Sequence, residues 1–251
     1  MITKKYYKLI RVSYEDLNYL TLTNMSDVTG EFSVGKHDYP VNTNLEYSIN
    51  GVDWVTYDLT TLPNIEVPTG GNIYLRGNNE NGFNRQSGYT YYYHFDMNVD
   101  YKVSGNLFSL RNTNPSVFST YTSVLEEEFK YLFYESTHLI DASGLITTQI
   151  TSVNSRGFEN VFALCSALTT APDFSSITSV TNGFDYAMYS CTHLTNVTAP
   201  NISTWDTSDF NSWLAASGTG ATGTKIFNAP TGLEIPTGIS GIPTGWTRVD
   251  Y

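Results

Sequence analysis

The two cysteines of this chain occupy the same position of an internal repeat. The segment FENVFALCSALTTAP begins at Phe158 and FDYAMYSCTHLTNVTAP begins at Phe184, so that Cys165 aligns with Cys191. Two thiols at one repeat position can stay reduced in the core or form a disulfide between neighbouring copies. Free cysteine is among the most buried residue types, and helix positions in neighbouring copies exceed the ~7 Å Cα separation that a disulfide allows. We therefore expect buried, reduced thiols and keep the disulfide as the alternative.

Two further motifs resemble ligand sites but lack the residues that would complete them. SGTGATGTK, which ends at Lys225, contains G-x-G-x-x-G, but no helix-forming sequence follows, and Thr224 stands where a phosphate-binding loop has lysine. Asp96, Asn98 and Asp100 give D-x-N-x-D without the later Gly and Glu of a calcium loop. We expect a flexible turn and a strand respectively, with a weak surface calcium site as the alternative to the strand, and we predict no cofactor.

The histidines do not form a recognisable metal or catalytic set. His138 and His193 both occur as T-H-L at one repeat position, but two copies apart, with Ala167 in the copy between them. A strand spacing of about 4.8 Å per copy places them too far apart to share a metal. The sequence has no H-E-x-x-H, C-x-x-C or Ser-His-Asp signature, and no pair stands out among its 24 acidic residues. We predict two surface histidines, no metal site and no enzymatic activity.

The aromatic stretch YTYYYHFD, which begins at Tyr89, is the most suggestive functional feature. On a strand its odd-numbered residues up to Phe95 would share one face, with Tyr92 and His94 on the other. One face should pack in the core, whereas flat amphipathic rings on the other suit contact with sugar or protein. Together with the two T-H-L histidines, this stretch gives a candidate binding surface: Tyr91, Tyr92, Tyr93, His94, His138 and His193.

The composition is that of extended structure and turns. Hydrophobic residues make up 40% of the 251 residues, and charged residues only 15%, below the roughly 25% of typical soluble domains. The chain has 19 Tyr, 19 Gly and 9 Pro. A net charge of −11 argues against nucleic acid and against anionic membrane surfaces as partners. No apolar run reaches the roughly 20 residues that cross a bilayer, so we expect no membrane insertion.

The elements that must position these residues change character near residue 105. Before it, short alternating segments separated by Gly, Pro and Asn turns are typical of an antiparallel β-sandwich, which we predict for residues 1–104 as an independently folding domain. Asn50–Gly51 predicts a two-residue type I′ hairpin turn. The predicted strands are Tyr19–Met25, Glu31–Gly35, Leu45–Ile49, Trp54–Leu59, Asn72–Gly77 and Tyr89–Met97.

From residue 105 to 225 the sequence repeats. Apolar residues spaced i, i+4, i+7 predict a short helix in each copy, followed by a short strand. Four copies begin at Phe129, Phe158, Phe184 and Phe210. A unit this short buries its apolar face only by stacking on its neighbours. The expected core positions of the two best copies are Phe158, Phe162, Cys165, Leu168, Phe184, Met188, Cys191 and Leu194.

Residues 226–251 are too irregular for another copy. Prolines at 230, 236 and 243 favour an extended chain around several apolar residues. Because a stack of repeats exposes its last apolar copy unless something covers it, we predict a C-terminal cap in which Trp246 is the main buried side chain.

The repeats resemble BspA-type leucine-rich repeats. VFALCSALTTAP and MYSCTHLTNVTAP match the core of that repeat, and GIPTGWTRVDY (Gly241–Tyr251) is similar to the segment that closes such arrays in gut Bacteroidota and their phages. LEYSINGVDW, IYLRGNN and VSGNLFSL resemble the β domain that often precedes them. The resemblance covers about four-fifths of the chain but not the first 15 residues or so. It implies a surface-exposed binding or structural protein, with an α+β, mostly β fold: a β-sandwich, a short irregular leucine-rich-repeat solenoid and a cap.

The resemblance and the composition together predict a non-enzymatic virion protein. The N-terminal segment MITKKYYKLIRVSYEDL has positive charges but neither the apolar core nor the cleavage site of a secretion signal, so either the mature chain begins here or a leader has been removed. Release inside a phage particle would reconcile the first alternative with a surface-type composition. We expect a fibre, decoration or tail-associated component on the virion surface, which contacts other virion proteins and a host glycan or protein. A homo-trimer is compatible with the low charge and many tyrosines. The alternative is an adhesin on a bacterial cell surface.

Overall fold

The computed structural model describes residues 18–38, 43–85 and 92–251, and within them the chain is mostly β. Short 3-10 helices at Leu107–Leu110 and Pro115–Thr120 follow the eighth strand. The strands are β1 Leu20–Asn24, β2 Gly30–His37, β3 Glu46–Ser48, β4 Val55–Thr56, β5 Ile65–Val67, β6 Asn72–Arg76, β7 Tyr92–Met97, β8 Tyr101–Gly105, β9 Ser123–Val124, β10 Leu139–Leu145, β11 Ser152–Val153, β12 Thr170–Asp173, β13 Ser179–Val180, β14 Asn196–Thr198, β15 Ile226–Ala229 and β16 Thr247–Asp250.

One ten-stranded sheet runs through most of the described chain. Its order is β16-β15-β14-β12-β10-β8-β1-β6-β3-β4. The pairs from β8 to β4 are antiparallel, as alternating hairpin sequences favour, whereas those from β8 to β16 are parallel, as successive repeat copies require. Two three-stranded sheets lie beside it, antiparallel β5-β2-β7 and parallel β13-β11-β9.

The hairpin between β3 and β4 forms, but the predicted type I′ turn is wrong. Six residues connect the strands, and only Gly51 of the Asn50–Gly51 pair has positive φ, at 73°. The side chain of Asn50, rather than a second residue with positive φ, organises the loop. Its Oδ1 accepts the backbone N–H groups of Val52 and Asp53 at 2.9 and 2.8 Å, which folds the loop as an Asx turn.

The predicted short helices are also wrong, because rows of tight turns replace them. These turn rows cover residues 126–135, 155–164, 185–190 and 207–218. In the second row Arg156, Asn160 and Leu164, four residues apart, have φ between 52° and 64°. A residue in the left-handed region cannot continue a right-handed helix, so the chain reverses at each of them.

Hydrogen bonds between copies explain why turns are preferred to a helix. Backbone N–H groups at alternate positions donate to the next copy: Phe133 to Val161, Phe162 to Ala187 and Met188 to Trp213, each at 2.8 Å. An α-helix would use the same N–H groups internally and leave the copies joined by side chains alone. One left-handed residue in every four costs about 1–2 kcal/mol, and the two inter-copy bonds made over the same four residues return about 1 kcal/mol each.

Aromatic rings stack beneath the turn rows. The rings of Phe133 and Phe162 lie 5.4 Å apart and nearly parallel, and Phe184 lies 5.5 Å from Phe210. All eight core positions expected from the sequence are buried.

The repeated cysteine position donates a hydrogen bond to the preceding copy. The Sγ of Cys165 lies 2.9 Å from the carbonyl oxygen of Phe133, and that of Cys191 lies 3.0 Å from that of Phe162. Ser136 and Ser217 occupy the same position in the outer copies, and their hydroxyls donate in the same way, Ser136 to Phe95 at 2.6 Å and Ser217 to Met188. Both thiols are free and buried, and burial raises their pKa. The position therefore selects a small side chain with one donor, which cysteine and serine both supply.

The sheet and the core continue across the boundary expected at residue 104. β8 pairs in parallel with β10, and the N–H of Phe95 in β7 donates to Leu132 in the first turn row at 2.8 Å. The side-chain amide of Asn84 joins Tyr93 and Lys130 by bonds of 2.8 and 2.7 Å. One hydrophobic cluster includes residues from both sides.

Residues 226–251 extend the sheet beyond β14. β15 pairs in parallel with β14, and β16 with β15. The chain between these strands covers the last copy, because the indole N–H groups of Trp205 and Trp213 donate to the carbonyl oxygens of Ser240 and Gly241 at 2.9 and 3.1 Å. Trp246 is buried, with 9% of its surface exposed, but Trp213 is completely buried and is the larger contribution to this end of the core.

The two ligand-like motifs take part in ordinary backbone contacts. Gly218 and Gly220 of the glycine-rich segment donate to the carbonyl oxygens of Cys191 and Thr192, which ties the loop to the preceding copy. The Oδ1 of Asn98 accepts the N–H of Glu31 at 2.8 Å, so this side chain ties the turn between β7 and β8 to β2. Within the described ranges, no group of three or more His, Cys, Asp or Glu side chains could hold a metal ion.

Candidate functional site

Two pairs of tyrosines stand at matching positions on the turn rows. Tyr131 and Tyr134 belong to the first row, and Tyr186 and Tyr189 to the third. Within each pair the rings meet edge to face, with centroids 5.2 and 5.9 Å apart. The second row, which lies between them, has an asparagine and an alanine at these positions instead.

The smaller residues of the second row leave a groove of about 360 Å³ between the two tyrosine pairs. From the second row, Glu159, Asn160 and Leu164 line it. Ala163 is fully buried beneath the surface. We call this the tyrosine groove; it exists because one layer of rings is missing from the stack.

The ring spacing elsewhere in the repeats gives the width of the tyrosine groove. Neighbouring copies place their stacked phenylalanine rings 5.4–6.1 Å apart. Two such layers separate the tyrosine pairs, which makes about 11–12 Å from ring layer to ring layer, slightly more than two strand spacings. The gap is therefore open enough for a ring-shaped group of a ligand to lie between the two tyrosine pairs.

The first wall of the groove is held from behind by β7. The ring of Tyr92 stacks on that of Tyr131 with centroids 4.0 Å apart and an angle of 7°. His94, the next residue on that face of the strand, approaches Tyr134 edge-on at 6.4 Å. Its imidazole lies over Gly35, where an added Cβ would come within 2.1 Å of Nε2. The wall is therefore fixed by packing before any ligand arrives.

The groove is acidic and partly dehydrated. The side chain of Glu159 is only 18% exposed, and burial raises the pKa of its carboxyl above the usual range. Arg156 lies 3.8 Å from this carboxylate but makes its shorter contact, 2.7 Å, with Glu127. Burial, with a smaller contribution from Glu159, raises the pKa of Tyr131 to about 12, so its hydroxyl is neutral at physiological pH and can donate a hydrogen bond.

The sequence-predicted aromatic residues lie behind this groove rather than on it. Tyr93 packs in the core near Phe83, and Tyr92 is buried against Tyr131, so neither presents a ring to solvent. His94 is half-buried, and burial lowers its pKa. Tyr91 lies outside the described residues. Two-sided burial of β7 arises because the turn rows pack on the face that a sandwich would have left open.

The predicted histidines are separate from the groove. His138 is half-buried beside Thr137, with Oγ1 and Nδ1 3.5 Å apart. His193 is exposed, and its Nδ1–H donates to the carbonyl oxygen of Ser166 at 2.7 Å. Neither lines the tyrosine groove.

The outward positions of the repeats carry a sequence signal for the groove. The core positions, where the copies are alike, do not show it. The groove comes from the outward positions, where Tyr131 aligns with Asn160 and Tyr186, and Tyr134 aligns with Ala163 and Tyr189. A large–small–large alternation across three copies predicts a cleft on a stacked surface.

A larger cavity lies on the outer face of the ten-stranded sheet. It measures about 580 Å³ and is lined mainly by small polar side chains of β1, β6 and β8, including Thr21, Thr23, Asn72, Lys102 and Ser104. Its lining has two aromatic side chains, Tyr19 and Tyr74, and one charged side chain, the partly exposed Lys102. The tyrosine groove offers more specific chemistry.

Comparison of the chain with family models, with curated proteins and with solved structures found no match. In the described part of the chain, no helix is long and apolar enough to cross a membrane.

Proposed function

We propose that this protein is a non-enzymatic attachment protein that binds carbohydrate in the tyrosine groove. The observation that carries the proposal is the gap of one ring layer between two tyrosine pairs, with the carboxylate of Glu159 and the amide of Asn160 between them. Rings contact the C–H faces of a sugar, while carboxylate, amide and phenol groups bond its hydroxyls. The wall is pre-formed, which limits the entropy lost on binding.

The groove favours binding over cleavage. Glycoside hydrolysis generally uses two carboxyl groups, about 5–5.5 Å or 6.5–9.5 Å apart. Among the described residues that line the groove, Glu159 supplies the only carboxyl group. A sugar held there would contact one carboxyl group, and the neighbouring acids, such as Asp185, lie outside the lining.

We further propose that the repeats form a short leucine-rich-repeat solenoid of the BspA type, following a β-sandwich. The inter-copy hydrogen bonds and the stacked phenylalanine rings support the solenoid. The antiparallel sheets β5-β2-β7 and β8-β1-β6-β3-β4 support the sandwich. In this arrangement the groove opens on the turn face of the solenoid, away from the outer face of the large sheet.

The place of action that we propose is the virion surface, where the protein contacts other virion proteins and a host glycan, as a monomer or a homo-trimer. The low charge and the many tyrosines support a role in large protein contacts. An adhesin on a bacterial cell surface is the alternative. Immunodetection in purified particles and on intact cells separates the two.

The binding proposal is tested on a glycan array followed by calorimetry on the sugars that bind. Tyr186→Ala removes an exposed ring from one wall and should weaken binding about tenfold, as expected for one aromatic contact of ~1–2 kcal/mol. Tyr251→Ala is the matched control, because Tyr251 is similarly exposed but lies in the C-terminal segment. Equal loss in both variants, or unchanged affinity in Tyr186→Ala, would exclude the groove. Release of smaller sugars on incubation would contradict the non-enzymatic role.

A further inference from the structure

We propose that the sugar bound by the tyrosine groove carries an amino group, and that its ammonium pairs with the carboxylate of Glu159 between the tyrosine rings. This inference rests on the proposed function and specifies the class of ligand. It follows from three features of the groove: its surplus of acidic groups, the partial burial of one of them, and its aromatic walls.

The charged groups around the groove are predominantly acidic. Glu159 interacts with Arg156, Asp185, Lys130 and Glu127. Glu135 lies beside Tyr134 on the first wall, and Asp209 interacts with Asp185 beyond the third row. Of these seven groups, five are acids and two are bases. Both bases bond the same acid, since Lys130 Nζ lies 3.0 Å and Arg156 Nη1 lies 2.7 Å from oxygens of Glu127. Glu159 has a longer contact, 3.8 Å from the Nε of Arg156, and a weaker electrostatic interaction with Lys130.

A neutral ligand would make this imbalance worse. Covering Glu159 with an uncharged sugar removes its remaining water without supplying a charge, and burying a carboxylate in this way is unfavourable. Burial already raises the pKa of this carboxyl and that of Asp185, which shows the direction of the effect. An anionic sugar would add repulsion. An ammonium group replaces the lost water with a charge-assisted hydrogen bond.

The walls reinforce the same preference. A cation within about 6 Å of a tyrosine ring face is attracted by the negative potential of that face. The groove places four tyrosines around one carboxylate in a volume of about 360 Å³. A primary amine on a hexose meets both requirements at once: the ring stacks, and the amine points to Glu159.

Three β-1,4-linked trisaccharides that differ only at C2 provide the test. The glucosamine trimer, the N-acetylglucosamine trimer and cellotriose carry an ammonium, an acetamide and a hydroxyl there. Calorimetry at about pH 5.5, well below the ~7.7–8 of a peptide α-amino group so that the less basic sugar amines are charged, should show the glucosamine trimer binding about tenfold more tightly than cellotriose.

Glu159→Gln keeps the shape and removes the charge. We expect this variant to lose the preference for the glucosamine trimer, so that the three trisaccharides bind with similar affinity. Glu66→Gln, an exposed change in β5, removes one charge away from the groove and should preserve the preference, which controls for general attraction of cations to an acidic protein.

The outcomes separate the two proposals. Equal binding of the three sugars, with loss in Tyr186→Ala, overturns the amino-sugar inference and leaves the carbohydrate-binding function intact. A preference for the glucosamine trimer that survives Glu159→Gln overturns the role of Glu159. Binding of none of these sugars, and of none on the glycan array, overturns both.

Discussion

The thiol of Cys191 is expected to stabilise the fold as a small hydrogen-bond donor. It is completely buried, and its Sγ lies 3.0 Å from the carbonyl oxygen of Phe162 in the preceding copy. The same oxygen also accepts the N–H of Cys165 at 3.1 Å. Removing the thiol therefore leaves a carbonyl group that keeps one partner, which places the lost bond near the low end of its range, about 1 kcal/mol.

Three substitutions of Cys191 distinguish the contribution of its hydrogen bond to stability from that of its side-chain volume. Cys191→Ser keeps the donor, as Ser217 does one copy later, and should cost less than about 1 kcal/mol. Cys191→Ala loses the bond and leaves a small void, which should lower the free energy of unfolding by about 1–2 kcal/mol. Cys191→Val loses the bond and overfills a close-packed site, which should lower the free energy of unfolding by about 2–3 kcal/mol.

Urea denaturation and thermal melting measure this order. In a chain of this length each kcal/mol lowers the melting temperature by about 2–4 °C, so serine and valine should differ by several degrees. Reductant should leave the wild type unchanged, because both cysteines are free. The reasoning fails if serine destabilises as much as valine, or if alanine is neutral.

Four further predictions concern other contacts. Gly35→Ala should cost about 1–3 kcal/mol, because its Cβ would overlap the imidazole of His94, and His94→Ala should remove most of that cost in a double-mutant cycle. Asp96 has a pKa raised to about 6 by burial, above the ordinary 3.8, so its charge disfavours the folded state above that pH. Asp96→Asn should add about 1 kcal/mol at about pH 8 in urea titrations and nothing near pH 4. Trp213→Ala should lower the melting temperature more than Trp246→Ala, since only Trp213 is completely buried. Residues 1–104 alone should fail to give a cooperative transition by circular dichroism, contrary to the expectation from sequence, because β8 would lose its pairing with β10; a sharp transition would restore the domain boundary.

The strands of the first half could be predicted because their residues alternate. In β1, LTLTN, the leucines are buried and the threonines between them are partly exposed. β7 shows the limit of that reasoning. Its core face was predicted, but the burial of Tyr92 depends on Tyr131, which is 39 positions further along the chain and belongs to a different sequence pattern.

The turn rows could not be predicted from periodicity. Apolar spacing of i, i+4, i+7 describes a helix and also a row of four-residue turns, since both bring every fourth side chain to one side. The difference lies in where the backbone N–H groups find partners, and those partners belong to the next copy. Asn160 and Asn182 are of a residue type that is common in the left-handed region. Tyr131 and Tyr186 also have positive φ, but tyrosine is not a residue type from which this could be predicted.

The same hydrogen bonds explain how a site can form on a repeat without disturbing it. Each copy is held to its neighbours by backbone groups, buried rings and the cysteine or serine donor, none of which involves the outward side chains of the turn rows. Replacing one outward pair of tyrosines by Asn160 and Ala163 therefore removes two rings from the surface and leaves the stack intact. The walls that remain are rigid because they belong to the stack. A cleft made by omission in this way has a width fixed by the repeat spacing, and its chemistry is set by the copy that lacks the rings, which here supplies Glu159.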